Sequence, residues 1–344
     1  MTANAQLFCT VADLVADTNS AGVDEARMLQ AIREASAVLQ KEIGWFIPVT
    51  ATRYFKAPEA AFTLFVPPLL AITAIANETE SLTGADYILK PDLGHWPDGP
   101  YSRLVADPDS SLLYSWSDLE NGVTITGRWG KYEKSKSTAA TVADTTQQSS
   151  SQTTLKLSSA AVVSLGMVLL IESEQQLVTG WEDPTTNATT LSANIATTDE
   201  SFSVASGAAL NVGEIIRIDF EQMKIKDKKT NSINVIRGWN GTARAAHTSS
   251  TAVDVYRTVT VERGVNGTSA AVHANGTAIS RYLAPDDIQY LTKQIATLIV
   301  NKARSGYQGR TGNEQTGVVF YNDAFPRYEM DRIKKSYLLP GYEL

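Results

Sequence analysis

Hydrophobic residues recur at spacings of three and four near both ends of the chain, a pattern that predicts amphipathic helices. In the N-terminal region, Asp24 and Glu25 precede such a stripe and Gly44 follows it, which is typical of a helix with a capped start and a glycine stop. The stripe consists of Met28, Ile32, Ala35, Leu39 and Ile43. We expect this face to pack against a core.

A second stripe lies in the C-terminal region, after Pro285-Asp286-Asp287. Proline and acidic residues favour the first turn of a helix, where the helix dipole is positive. The stripe consists of Ile288, Leu291, Ile295, Leu298 and Ile299, and Gly306 follows it. We therefore expect the helical core to be built around Met28, Ile32, Leu39, Ile288, Leu291 and Ile295.

Two shorter helices are predicted closer to the termini. Thr10 with Asp13 three residues later favours a short capped helix, and a last helix is predicted from Pro326 to about Tyr337. Between the helical regions, apolar and alternating runs predict strands at 62–66, 69–76, 86–89 and 123–126.

Residues 155–280 are rich in Thr, Val, Ile, Ala and Gly, with alternating patterns and many turn signals, which is typical of β structure. We therefore predict an α+β fold. A small helical core with short strands, formed by residues 1–134 and 281–344, would be split by a β-rich insertion at 155–280. The intervening residues 135–154 contain 11 Ser or Thr in 20 positions, and such a segment buries too little apolar surface to order itself, so we predict a linker.

The insertion contains two internal similarities. The segment from Leu155 to Gln175 resembles the segment from Phe202 to Gln222, 47 residues later. The motif Arg237-Gly238-x-Asn240-Gly241-Thr242, followed by His247, recurs 26 residues later as Arg263-Gly264-x-Asn266-Gly267-Thr268, followed by His273. Because the offsets differ, we predict two related small β-barrel-like units that are nested, one formed by 155–180 with 258–281 and the other by 201–257.

Each motif has a physical explanation. Asn-Gly favours a tight turn, because both residues tolerate positive φ. The arginine ends a predicted strand, and Glu174 or Glu221 lies on a neighbouring strand, so an Arg–Glu pair across each unit is expected. The two histidines suit a metal site only with further ligands, and we favour turn or packing roles for them.

The amino-acid composition disfavours several classes of function. The net charge of −7, from 30 basic and 37 acidic residues, disfavours a protein that coats free DNA. One cysteine and three histidines leave little material for metal or acid–base chemistry, and no phosphate-binding loop or nucleophile motif is present. The carboxylate pairs Asp118/Glu120 and Asp107/Asp109 suit turns better than glycoside hydrolysis. We expect a soluble non-enzyme with no cofactor, no metal and no membrane partner.

Several motifs together resemble the head–tail connector (adaptor, or head-completion) proteins of tailed, siphophage-type bacteriophages. They are Thr10-Val11-Ala12-Asp13-Leu14, Asp24 with Met28-Leu29 and Ala31-Ile32, Arg53-Tyr54-Phe55, Val66-Pro67-Pro68-Leu69, Asp86-Tyr87-Ile88-Leu89, Pro100-Tyr101 with Leu104, Gly127-Arg128-Trp129-Gly130, and the helix at Pro285–Arg304. The resemblance covers about 130 N-terminal and 60 C-terminal residues. The β-rich insertion departs from the family's minimal pattern, and its motif is similar to small β units of other phage structural proteins.

The resemblance implies a structural virion protein at the neck, the head–tail interface, made in the host cytoplasm. The chain would form a ring, typically dodecameric, that docks under the portal protein, continues the channel for passing double-stranded DNA without specific binding, and offers a surface to a tail-side stopper or tail-terminator protein. The β-rich insertion would project outward on its linker. The C-terminal segment would reach the portal through Phe325, Pro326, Tyr328, Met330, Ile333, Tyr337, Leu338 and Leu339.

One alternative function is an adhesin-like or carbohydrate-binding decoration protein in which the β-rich insertion is the working module. Trp181, Trp239 and Tyr256 would then line an exposed groove, whereas a structural role would place them in the core of the β units.

Overall fold

The computed structural model shows a mixed α+β fold made mostly of sheets, and it describes residues 5–18, 22–91, 100–145, 147–304, 310–313, 318–321 and 326–337. The predicted α+β class is confirmed. Within these residues there are four helices, α1 (Val11–Thr18), α2 (Glu25–Ile43), α3 (Asp286–Arg304) and α4 (Arg327–Tyr337). The predicted stop at Gly306 lies outside the described residues.

The helices pack into one hydrophobic core. All six residues around which the sequence predicts this core are buried in a single cluster: Met28, Ile32, Leu39, Ile288, Leu291 and Ile295. At the start of α2 the Asp24 carboxylate accepts a hydrogen bond from the Ala26 N–H (2.8 Å), and at its end Gly44 has a φ of 103°. The apolar face of α2 is therefore buried, and the residues that flank the helix determine where it begins and where it ends.

The first sheet follows α2 directly. It has the order β1-β6-β2-β5-β4, with β3 on β2. Its strands are β1 (Val49–Phe55), β2 (Thr63–Asn77), β3 (Glu80–Leu82), β4 (Tyr87–Pro91), β5 (Tyr101–Ala106) and β6 (Val123–Trp129).

The strands predicted at 62–66 and 69–76 form one strand, β2, although Pro67 and Pro68 lie in its middle. Proline lacks an N–H and is tolerated in strands at irregular positions. Here β2 pairs with β5 as far as Leu69 and with β6 from Leu69 onward, and the register with β5 shifts between Phe65 and Leu69. The prolines thus lie where β2 exchanges one partner for the other, where the ladder is already irregular.

The remaining strands in the described part of the chain build two more six-stranded sheets and two short pairs. They are β7 (Ser135–Thr141), β8 (Gln147–Gln148), β9 (Thr154–Lys156), β10 (Val168–Ile171), β11 (Glu174–Trp181), β12 (Thr185–Thr190), β13 (Ser201–Ser203), β14 (Ile215–Ile218), β15 (Glu221–Lys229), β16 (Ser232–Ile236), β17 (Ala252–Val255), β18 (Thr258–Glu262), β19 (His273–Ala274), β20 (Ala278–Tyr282), β21 (Arg310–Asn313) and β22 (Val318–Tyr321).

These last two six-stranded sheets place their equivalent strands in the same order. The order is β7-β20-β10-β11-β18-β9 in one sheet and β12-β17-β14-β15-β16-β13 in the other. Strand β18 directly precedes the second motif. It pairs with β11, although the strands of the other sheet, β12 to β17, lie between these two strands in the sequence. The strand pairing is therefore nested, but the two units begin at 135 and 185, earlier than the predicted 155 and 201. We call residues 135–181 with 258–282 the split unit, and residues 185–257 the inserted unit.

The prediction of a linker at 135–154 is wrong. Strand β7 pairs with β20, and Gln148 of β8 pairs with His273 of β19. The side chains of Thr138, Ala140 and Gln148 are buried. The physical reason is that the Gln148 amide exchanges hydrogen bonds with the Gln176 amide, so polar side chains here are satisfied by partners inside the unit instead of by water.

The sequence predicts barrel-like units, and in each unit one isolated bridge joins the first strand of the sheet to the last. Both sheets are open paths, and their first and last strands meet only at the isolated bridges Val142–Leu157 and Leu191–Val204. Within the described residues, neither sheet closes into a barrel.

Candidate functional site

Each repeat motif follows the end of a strand and contains one short helical turn. This turn is Trp239–Gly241 in the first motif and Val265–Gly267 in the second. Asn240 and Asn266 both have a φ of 55°. A side chain at Gly267 is excluded because its Cβ would lie 1.9 Å from the Thr50 carbonyl oxygen. The last motif residue closes the turn, since the Thr268 hydroxyl donates to the Val265 carbonyl at 2.9 Å. The motif thus encodes a turn that approaches other backbone closely.

The predicted Arg–Glu pairs are confirmed in both units. Arg263 donates from Nε and Nη2 to the two carboxylate oxygens of Glu174, at 2.6 and 2.7 Å. Arg237 makes the same bidentate pair with Glu221, at 2.7 and 2.6 Å. All four side chains are buried or nearly so. Each guanidinium also donates to backbone carbonyls, for example from Arg263 to Ser149 and Gln152.

These contacts keep the two glutamates charged. Burial alone would raise the pKa of Glu174, but hydrogen bonds from Arg263, the Ala271 N–H and His273 outweigh it and lower the pKa to about 2. In the same way, Arg237, the Ala245 N–H and His247 overcome burial and lower the pKa of Glu221 to about 2. Each unit therefore contains a buried carboxylate that accepts hydrogen bonds from the motif arginine, from a backbone N–H and from the histidine that follows the motif.

The two histidines complete these clusters. His273 contacts the Glu172 carboxylate through Nδ1 (2.8 Å) and the Glu174 carboxylate through Nε2 (2.7 Å). His247 contacts Asp219 and Glu221 in the same way, at 2.7 and 3.1 Å. The contacts support packing roles, because both ring nitrogens of each histidine already have partners. In the part of the chain that the structure describes, no group of three or more His, Cys, Asp or Glu side chains could hold a metal ion.

The inserted unit packs on the start of α2. Asn240 of its motif accepts a hydrogen bond from the Glu25 N–H (2.8 Å). The Glu25 carboxylate accepts from the indole N–H groups of Trp239 (3.1 Å) and Trp181 (3.0 Å). Burial raises the pKa of the Glu25 carboxyl. The Lys224 ammonium lies 4.6 Å from the centre of the Trp239 ring, so one carboxylate joins α2 to both units.

The split unit packs on the N-terminal segment through the equivalent asparagine. Asn266 accepts from the Ala5 N–H (2.8 Å) and donates to the Ala5 carbonyl (3.2 Å). It also donates to Gln175, whose own amide donates to the Pro48 carbonyl. Each motif therefore holds its unit against the N-terminal region of the chain, and the outward projection of the β-rich insertion from a ring stays a prediction.

The structure shows no exposed groove at the three aromatic residues that the carbohydrate-binding alternative requires. Trp239 and Tyr256 are buried in the helical core cluster, with Trp181 half-buried against it. The rings of Trp181 and Tyr256 lie 6.3 Å apart. These aromatic residues form the joint between the inserted unit and the helices. The sequence predicts either an exposed groove or the core of the β units for them, and the structure places them against the helices instead.

Helix α4 contains four of the eight residues that the sequence predicts for portal docking. Met330 and Ile333 are buried in this chain's own helical core. The Tyr337 hydroxyl donates to Asp287 (3.0 Å), and its carbonyl accepts from Lys131 (2.6 Å). Met330 and Ile333 therefore pack inside this chain, which corrects the prediction for them, whereas Tyr337 is half-buried and its docking role stays a prediction. Tyr328 is 78% exposed and Pro326 is half-buried. Phe325, Leu338 and Leu339 lie outside the described residues.

One end of the first sheet exposes both apolar and acidic side chains. The loop before β6 lies there against the start and the end of β2, because Trp116 bonds to Ala61 and Phe62 while Ser117 bonds to Asn77 and Glu78. The exposed apolar residues are Phe62, Leu112, Tyr114 and Leu119. The exposed acidic residues are Glu59, Glu78, Glu80, Asp109, Asp118 and Glu120. We call this set the acidic end.

The carboxylate pairs considered for glycoside hydrolysis belong to this end. The Asp107 carboxylate accepts a hydrogen bond from the Asp109 N–H at 2.9 Å, which is a turn contact. Asp118 and Glu120 are exposed.

None of the helices in the described residues is long and apolar enough to cross a membrane. Comparison with protein-family models, with curated proteins and with solved structures found no match for this chain.

Proposed function

We propose that this chain is a structural virion protein, the head–tail adaptor that forms a ring under the portal, continues the DNA channel and provides the surface for tail attachment. The observation that carries the proposal is the acidic end. Four large apolar side chains are exposed there together, and Tyr114 alone is 77% exposed. Large exposed apolar side chains among polar residues are typical of a protein–protein contact site.

A lysine-bearing surface, on which Asp227 is also exposed, lies on the inserted unit. The hairpin of β15 and β16 exposes Lys226 and Lys229 and belongs to the inserted unit, which packs on the start of α2. The first sheet follows the end of α2, whose 19 residues span about 28 Å. Two different and complementary surfaces favour a heterologous contact between copies, and repeated contacts of that kind close a ring.

The other proposed partners would use other surfaces of the chain. Helix α4 exposes Tyr328 together with Arg327, Arg332 and Lys335, and this face would contact the portal. A tail-side stopper or tail-terminator protein would bind the opposite side of the ring. The net charge of −7 per chain repels the phosphate backbone, so DNA would pass through the channel without being held. The twelve-fold symmetry rests on the resemblance in the sequence.

Reversing charges at the acidic end tests the ring contact. We expect the variant Asp118→Lys/Glu120→Lys to weaken self-association by about tenfold or more, because like charges would face Lys226 and Lys229. Sedimentation velocity over a range of protein and salt concentrations measures this change. The matched control, Glu34→Lys/Asp183→Lys, changes two exposed carboxylates elsewhere and should associate like the original chain.

A compensating variant makes the test specific. Adding Lys226→Glu and Lys229→Glu to the Asp118→Lys/Glu120→Lys chain exchanges the charges of both surfaces, and association should return. Unchanged association in the first variant, or no recovery in the fourfold variant, would contradict the proposed contact.

A further inference from the structure

Three motifs that are distant in the sequence meet in one small pocket. Arg53 comes from Arg53-Tyr54-Phe55, Pro67 and Pro68 from the irregular part of β2, and Trp129 from Gly127-Arg128-Trp129-Gly130. The cavity has a volume of about 220 Å³, and its lining is completed by Gly44, Trp45, Gly130 and Lys131. Nothing in the proposed ring contact uses this pocket.

Arg53 is the unusual member of the pocket. Its guanidinium carbon lies 4.8 Å from the centre of the Trp45 ring and 4.6 Å from that of Trp129. Half-burial lowers the pKa of the Arg53 guanidinium. Among the described residues the guanidinium has no hydrogen-bond acceptor and no carboxylate partner, in contrast to Arg237 and Arg263, which have every nitrogen engaged.

Lys131 adds a second cation to the same lining. Burial lowers the pKa of its ammonium to about 8, and its hydrogen-bond partner is the backbone carbonyl of Tyr337. No aspartate or glutamate lines the pocket. The site therefore combines positive charge with walls of tryptophan and proline, and its charge is not balanced by the residues around it.

The backbone holds this arrangement in place. Arg53 lies on the same side of β1 as Ala51 and Phe55, which pack against the core of the first sheet. Trp129 is fully buried in that core, and its indole donates to the Ala51 carbonyl at 2.9 Å. The Trp45 carbonyl accepts from the Lys131 N–H at 2.8 Å. Trp129 thus lies in a strand and Trp45 in a segment fixed by a backbone hydrogen bond, so both rings beside the guanidinium are held in place and the cation is preorganised.

We propose that this pocket binds a carboxylate carried on an apolar body. The guanidinium lies against two indole rings, and its N–H donors, which have no acceptor among the described residues, have the paired geometry that matches a carboxylate. The tryptophan and proline walls would contact the apolar part. Pockets for drug-sized ligands usually have volumes of about 300–1,000 Å³, so this smaller one fits a single ring or one short side chain.

Titration with benzoate tests the proposal on the full chain, followed by isothermal calorimetry and by the intrinsic fluorescence of the tryptophans. We expect saturable binding of benzoate and at least tenfold weaker binding of benzamide, which has the same shape without the charge. Inorganic phosphate should also bind at least tenfold more weakly, because the walls are apolar. In Arg53→Met we expect the benzoate affinity to fall at least tenfold.

Two further variants keep the result interpretable. Arg53→Lys retains the charge but loses the paired donors, so it should bind benzoate more weakly than the original chain even if Arg53→Met does not fold. Arg128→Met removes a neighbouring exposed arginine that is paired with Glu133 and should bind normally. The proposal is overturned if benzoate shows no saturable binding, if benzamide or phosphate binds as well as benzoate, or if Arg53→Lys binds benzoate unchanged.

Discussion

Replacing Arg263 with methionine is expected to lower the free energy of unfolding by about 3–5 kcal/mol, because it leaves a buried charge without its partner. Glu174 is fully buried and receives two hydrogen bonds from Arg263. The N–H groups and the histidine that remain around Glu174 cannot replace a bidentate guanidinium. Arg263 also holds the Ser149 and Gln152 carbonyls, so the loop between β8 and β9 should loosen in the same variant.

Denaturant unfolding followed by circular dichroism measures this loss. Arg237→Met is the matched change in the inserted unit and should cost a similar amount. Arg128→Met removes an exposed ion pair with Glu133 and should cost less than about 1 kcal/mol. The two buried variants should differ in where they unfold. The inserted unit is continuous in sequence and can open alone, whereas the split unit carries the contact with Ala5. Equal and small losses in all three variants would contradict the account.

Truncating Trp239 to alanine should cost about 3–5 kcal/mol, the usual range for a buried large aromatic residue. Trp239 is 1% exposed, packs in the helical core cluster and donates to Glu25. Its loss opens a cavity at the joint and removes one of the two indole donors from a buried carboxylate. We therefore expect the inserted unit to separate from α2 before the rest of the chain unfolds.

Hydrogen exchange at the first turn of α2 measures this separation, and it should rise sharply in Trp239→Ala. Trp239→Phe keeps most of the packing but loses the N–H, and should cost about 1–3 kcal/mol. Phe220→Ala removes an aromatic residue that is 94% exposed and should change stability by less than about 0.5 kcal/mol. Normal protection of α2 in Trp239→Ala would show that the joint does not depend on this residue.

The helices could be predicted because their signals are local. The stripe from Met28 to Ile43 lies between Asp24 and Gly44, and both ends act through contacts within a few residues. The motif turns were predictable for the same reason, since Asn-Gly and the following threonine close them locally. The nesting of the units was also accessible, because the duplication preserved the spacing of equivalent residues.

Other features depend on partners that are distant in the sequence. The segment 135–154 has the composition of a linker, and only its pairing with β20 and with His273 makes it part of a sheet. The histidine partners were missed although they carried a signal. Glu172 and Glu174 recur 47 residues later as Asp219 and Glu221, and a carboxylate pair conserved between the two copies should have been matched to the repeated histidine.

The contacts between units were the least predictable part. Each motif contains an asparagine that looks like a turn residue, yet Asn240 and Asn266 also bind backbone groups of the N-terminal region. A side chain can close its own turn and hold another segment at once, and sequence spacing reports only the first role. The same holds for Met330 and Ile333, whose apolar spacing did not reveal that they face this chain's own core.

The most direct test of the proposed adaptor is electron microscopy of the purified full chain, alone and mixed with a portal ring from the same virion. The account predicts closed rings of this chain on one face of the portal, with the channels of the two rings aligned. A chain that remains monomeric at high concentration and never joins the portal would contradict it.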